Sequence, residues 1–165
     1  MKDQLSRVID FLAARLPRRS AAYLFLFIIW AVTLWFLSEG NPAPESAPEI
    51  IHLDKVAHFG YFFGGGGLLA GFFGLRSQVK MPHRFPWAVF FTVLLIGTVI
   101  GRLDEYHQSF TPGRSGNDNW DWLADILGTA AGAWVMLISV IPRLVSRVDR
   151  QIDGGDTEIV ANSLD

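Results

Sequence analysis

Four long apolar runs limit what this chain can fold into. They cover residues 21–37, 56–75, 85–101 and 122–142, each about 17–21 residues long. About 20 residues of helix cross a hydrocarbon core of about 30 Å. Charges inside the runs are few: His58 lies in the second and Asp125 in the fourth. Half of all residues are hydrophobic and 18% are charged, and mean hydropathy is +0.28. A soluble core of this size does not need runs of this length. The runs predict an all-α polytopic membrane protein, a bundle of four transmembrane helices. Aromatic rings mark several ends (Trp35 and Phe36, Phe85 and Trp87, Trp120 and Trp122), as expected at a membrane–water interface.

The basic residues set the expected orientation. Lys2, Arg7, Arg15, Arg18 and Arg19 precede the first run. Arg76, Lys80 and Arg84 lie between the second and third, and Arg143, Arg147 and Arg150 follow the fourth. These are eleven of the 14 Lys and Arg residues, and the other two loops hold only Lys55, Arg102 and Arg114. The positive-inside rule then puts both termini in the cytoplasm of a multi-pass cell-membrane protein. A cleaved signal peptide is the alternative for the first run, but that run exceeds a usual h-region and follows a long basic segment.

Three regions are expected. Residues 1–19 form a cytoplasmic amphipathic segment, in which Leu5, Val8, Ile9, Leu12 and Leu16 recur at helical spacing and lie on the membrane surface. Residues 20–142 form the four-span domain. Residues 143–165 form a polar, disordered cytoplasmic tail. A Pro-rich loop, NPAPESAPE, occupies 41–49. A net charge of −2 argues against nucleic acid as a partner, and the lack of cysteine excludes disulfides and thiol chemistry.

The chemistry-bearing residues gather at the outer ends of spans two to four. Asp54 and His58 are four apart and share a helix face with Tyr61 one turn deeper; Lys55 lies beside them. The third run continues into GRLDEYHQ. If the helix continues, Gly97, Gly101, Asp104, Glu105 and Gln108 fall within about 100° on the wheel, with Arg102 on another side. Asp118, Asp121, Asp125, Gly128 and Gly132 are spaced 3, 4, 3 and 4, one stripe of a fourth helix. Asp125 sits roughly 6 Å along the axis from Asp121 and needs a partner, for which Arg102, Arg114, Lys55 and His58 are available. An ionisable group inside a span faces protein or water and marks function.

The expected site is a polar cup at the outer membrane face. Its acids are Asp54, Asp104, Glu105, Asp118, Asp121 and Asp125, its bases Lys55, His58, Arg102 and Arg114, and Gln108 joins them. Plainer readings stand beside this one. Asp54 N-caps the second span, His58 bonds to a neighbouring helix, Asp118 and Asp121 complement a helix N-terminus, and Arg114, beyond the turn Thr111-Pro112-Gly113, is a solvated loop residue. A cluster of carboxylates with His suits Mg²⁺, Ca²⁺ or Zn²⁺. The spacing matches no metal motif, so no metal and no cofactor is expected. The Gly64–Gly67 run, with Gly60, Gly71 and Gly74, reads as close helix packing rather than a phosphate loop.

Three motifs in order carry a family resemblance: D-K-x-x-H-F-x-Y-F (Asp54 to Phe62), D-E-x-x-Q-x-F-x-P-G-R (Asp104 to Arg114) and D-x-x-D-W-x-x-D-x-x-G-x-x-x-G (Asp118 to Gly132). Over residues 21–140 the chain resembles the VanZ-like family of small membrane proteins. That family takes its name from a member associated with resistance to the glycopeptide teicoplanin. The resemblance implies an envelope role. It departs at Asp125, where many members carry Asn, which favours hydrogen bonding or site shaping over strict carboxylate catalysis there.

Two function classes follow. The favoured one is a membrane protein that binds or modifies a cell-envelope component, its cup holding a head group, sugar or peptide. The alternative is a hydrolase or transferase acting on a phosphorylated lipid, with Glu105 or an Asp as base and Arg114 clamping phosphate. No catalytic residue is assigned. The expected partners are the lipid bilayer, a lipid head group or glycopeptide, and a second copy of the chain.

Overall fold

The computed structural model describes residues 2–40, 53–78, 86–112, 114 and 116–146. The loop at 41–49, Phe85, Lys80, Arg84, Arg147, Arg150 and the rest of the tail lie outside the described residues, as do the Leu5 and Leu12 side chains. The described residues form a short N-terminal helix, α1 (Lys2–Arg15), and four long ones. These are α2 (Ser20–Glu39), α3 (Leu53–Gln78), α4 (Trp87–Gln108) and α5 (Asn119–Val135), which continues through a π-helical turn (Met136–Val140) to Ser146. α2, α3, α4 and the long fourth helix are each apolar and long enough to cross a membrane. Each extends beyond its apolar run, so the short runs at 21–37 and 85–101 gain the length they need.

The π turn has a local cause. Pro142 offers no N–H, and its ring crowds the carbonyl four residues back. The preceding turn widens, and the Ile141 amide donates to the Met136 carbonyl, five residues back.

Small residues decide which helices touch. Cβ atoms added at Gly128 and Gly132 of α5 would strike the backbone carbonyls of Phe59 and Phe63 on α3, and one at Gly66 would strike the Thr129 backbone. α3 and α5 therefore meet backbone to backbone, the contact that small residues permit in lipid. Gly60 and Gly64 do not join this seam: nothing lies within 4 Å of a Cβ at either. Gly65 and Gly71 serve α2 instead, against Trp30 and Tyr23.

Side chains stitch the outer pairs. Trp30 Nε1 donates to the Tyr61 carbonyl at 3.0 Å while Tyr61 Oη donates to the Trp30 carbonyl at 2.8 Å. Trp122 Nε1 donates to the Thr98 carbonyl at 3.0 Å, so this ring joins α5 to α4. Arg143 Nε bonds Asp10 Oδ1 at 2.8 Å and ties the end of the fourth span to α1. On α1, Ala13 is buried, whereas Val8 and Phe11 are exposed.

Apolar packing and polar residues separate along the bundle. Tyr23, Leu69, Ala70, Val93, Ala133, Leu137, Ile141 and Leu144 form one buried cluster. Large side chains such as Phe25, Ile29, Val32, Phe91, Leu95 and Leu127 are exposed, a surface suited to lipid tails. The buried charged residues (Asp104, Glu105, Asp121 and Asp125 among the described residues) lie at the end where α2 and α4 finish and α3 and α5 begin.

Candidate functional site

Of the two helix stripes read from the sequence, the one on α4 is buried whole, and the one on α5 is buried except for Asp118, which is partly exposed and precedes the helix in extended conformation. On α4 the buried residues are Gly97, Gly101, Asp104, Glu105 and Gln108; on α5, Asp121, Asp125, Gly128 and Gly132. Because the α3–α5 seam is so close, polar residues one turn apart on each helix meet in layers.

The layer nearest the helix ends is built on Lys55. Its Nζ lies 2.9 Å from Asp54 Oδ2, 2.9 Å from Asp121 Oδ1 and 3.3 Å from Asp118 Oδ2. Asp118 is also the N-cap of α5, its Oδ1 accepting the Trp120 N–H at 2.7 Å. The Trp120 amide, with Lys55 adding to it, holds the Asp118 carboxyl below the usual carboxylate range. Asp54 sits in the first turn of α3, which begins at Leu53, rather than capping it.

One turn deeper, His58 Nδ1 lies 2.9 Å from Asp125 Oδ1. Asp125 is fully buried. The partner this carboxylate needed is thus His58, not an arginine. Glu105 of α4, 1% exposed, accepts the Asp118 N–H on Oε2 at 2.7 Å. One ligand atom from each of His58, Glu105 and Asp125 lies within 4.8 Å of the other two, close enough for the three to hold a metal ion.

Asp104 and Gln108 form a separate group turned to α2. Gln108 Nε2 donates to Asp104 Oδ2 at 2.7 Å, and Ser38 Oγ donates to Asp104 Oδ1. Ser38 was not foreseen as a site residue; its only signal is a hydroxyl at the end of an apolar run.

The two arginines are elsewhere. Arg102 is exposed, its guanidinium 5.7 Å from the Trp122 ring centroid. Arg114 Nη1 donates to the Leu37 carbonyl at 3.3 Å, and Thr111 Oγ1 donates to the Ser38 carbonyl at 3.1 Å. Among the described residues neither arginine is in an ion pair. The Arg114 N–H donates to the Thr111 carbonyl at 3.2 Å, and this bond folds the backbone back. It delivers Arg114 to the C-terminal carbonyls of α2, where a cation also suits the helix dipole. The return to α5 requires a left-handed residue, Asn117 at φ 66°, whose N–H reaches the Glu105 carbonyl at 3.1 Å.

The comparisons with known proteins agree with the motifs. No curated protein matches the chain, and no solved structure does. The VanZ/LLP1 family matches residues 18–140, which takes in all four spanning helices but for the last turns of the fourth, together with every polar residue of the two layers. This chain belongs to the VanZ/LLP1 family.

Proposed function

We propose that the polar end of the bundle is a cup at the outer membrane face that binds the polar part of a cell-envelope component. The observation that carries this reading is the buried polar network at that end, contributed by three helices: Lys55 and His58 from α3, Glu105 from α4, and Asp121 and Asp125 from α5. Ionisable residues at span depth are costly and are kept where they serve function. The outward direction rests on the eleven basic residues that the sequence puts before the first apolar run, between the second and third, and after the fourth.

The layers offer both signs of charge and several donors. Lys55 is about a quarter exposed and Asp54 more than half. They form the rim, suited to a sugar, a peptide or a zwitterionic head group. A link to glycopeptide resistance rests on the family name alone. An enzyme for a phosphorylated lipid would gather its arginines on the acids; Arg102 on Trp122 and Arg114 on Leu37 weigh against that reading.

Native mass spectrometry of the chain purified from its own membrane tests the proposal. A lipid, glycan or peptide of defined mass should co-purify with the wild type and be lost from Lys55→Ala. Recovery of only bulk bilayer lipid, equal in both proteins, would overturn it.

A further inference from the structure

Two buried carboxylates in the deeper layer have unmet bonding capacity. Oε1 of Glu105 and Oδ2 of Asp125 have no hydrogen-bond partner among the described residues. The other oxygen of each is already engaged, Glu105 Oε2 by the Asp118 N–H and Asp125 Oδ1 by His58. A buried, unmatched charged oxygen is costly. Lys55 does not relieve it, because its ammonium is held by three other carboxylates one layer above.

We propose that His58, Glu105 and Asp125 form a binding site for one divalent transition-metal ion of the Zn²⁺ class. Two carboxylates balance its charge, and a neutral imidazole completes three protein ligands. A tetrahedral Zn²⁺ with ligands at about 2.1 Å holds them about 3.4 Å apart. The three ligand atoms lie within 4.8 Å, so small side-chain rotations close the shell. The imidazole selects against Mg²⁺ and Ca²⁺, which take oxygen ligands, and the lack of thiolates excludes the softest ions. Three protein ligands leave a fourth position for a molecule held in the cup. Gly101 matters here as well: a Cβ there would fall 2.8 Å from Asp125 Oδ2, so glycine keeps the space beside that oxygen clear. Spacing along the chain carries no metal motif because the three ligands come from three different helices.

The site uses three residues of the proposed cup but not its ligand, and metal content is measured with no envelope component present, so the two proposals fail separately. The tag-free protein in detergent is loaded with Zn²⁺, desalted and analysed for metal, alongside His58→Gln and Glu105→Gln. The expected result is one tightly held Zn²⁺ per chain in the wild type and a loss of affinity of about tenfold or more in each variant that elutes as folded protein. Absorption at the zinc K-edge of the loaded wild type covers the case in which the variants do not fold. It should show one imidazole nitrogen with oxygen neighbours. A wild type that retains no Zn²⁺, equal retention in both folded variants, or a shell of two or more imidazoles would overturn the proposal.

Discussion

His58 on α3 and Asp125 on α5, 67 positions apart, lie with Nδ1 and Oδ1 separated by 2.9 Å. They meet because Gly128, three residues beyond Asp125, lies against the backbone of Phe59, the neighbour of His58. The packing seam and the polar pair are one feature: the close approach that glycine allows sets the depth at which the two side chains face each other.

The seam predicts opposite signs for glycine substitutions. Gly128→Leu and Gly132→Leu must push the α3 and α5 backbones apart and should destabilise the detergent-solubilised protein by about 1–3 kcal/mol or more. Gly60→Ala and Gly64→Ala meet open space. They should be neutral or stabilise slightly, by up to about 1 kcal/mol, since alanine favours helix. Thermal melting of the four variants separates the cases.

Lys55 serves three carboxylates at once. Lys55→Ala should leave the buried Asp121 without its partner, at a cost of about 1–3 kcal/mol given that Lys55 is partly exposed. In the Asp121→Asn background the same change should cost clearly less. Unfolding of the single and double variants in a denaturing detergent measures the difference.

Arg114 carries a smaller load than the turn at Thr111–Gly113 suggests. Its bond to the Leu37 carbonyl is partly exposed and acts at a helix end. Arg114→Ala should cost only about 0.3–1 kcal/mol, and Arg114→Lys should restore most of it. A loss of several kcal/mol on melting Arg114→Ala would place Arg114 in the acid network instead.

Much of this was legible because the relevant periods are short. The apolar runs located four spans, and the spacing of Asp121, Asp125, Gly128 and Gly132 placed them on one face, whereas Asp118, expected on the same stripe, caps the helix from just outside it. Pairing between helices was not legible. A stripe states which way a side chain points but not how deep it meets its neighbour. Asp125 thus had four candidate cations, and only the α3–α5 seam singles out His58. Ser38, the partner of Asp104, was missed for the same reason: its role depends on α2 ending at the depth of the last turn of α4. Gly60 and Gly64 share the glycine-rich span with Gly66 and Gly67, yet of these four only Gly66 and Gly67 lie against α5.

Orientation is open to a direct chemical test, since the chain has no cysteine. Asn119 and Arg19 are exposed at opposite ends of the bundle. In intact cells a membrane-impermeant maleimide should label Asn119→Cys, and should label Arg19→Cys only after permeabilisation. The reverse pattern would turn the polar end to the cytoplasm.

The central claim is that one end of the bundle is organised by polar contacts between α3 and α5 at span depth. A double-mutant cycle on His58 and Asp125, read by unfolding of His58→Ala, Asp125→Ala and the double variant, tests it most directly. Polar contacts between membrane helices are worth about 0.6–2 kcal/mol, and a buried pair involving a carboxylate belongs near the top of that range. The expected coupling is about 1–2 kcal/mol, with the double variant less damaged than the two single losses added together. Additive losses, with no coupling, would contradict it.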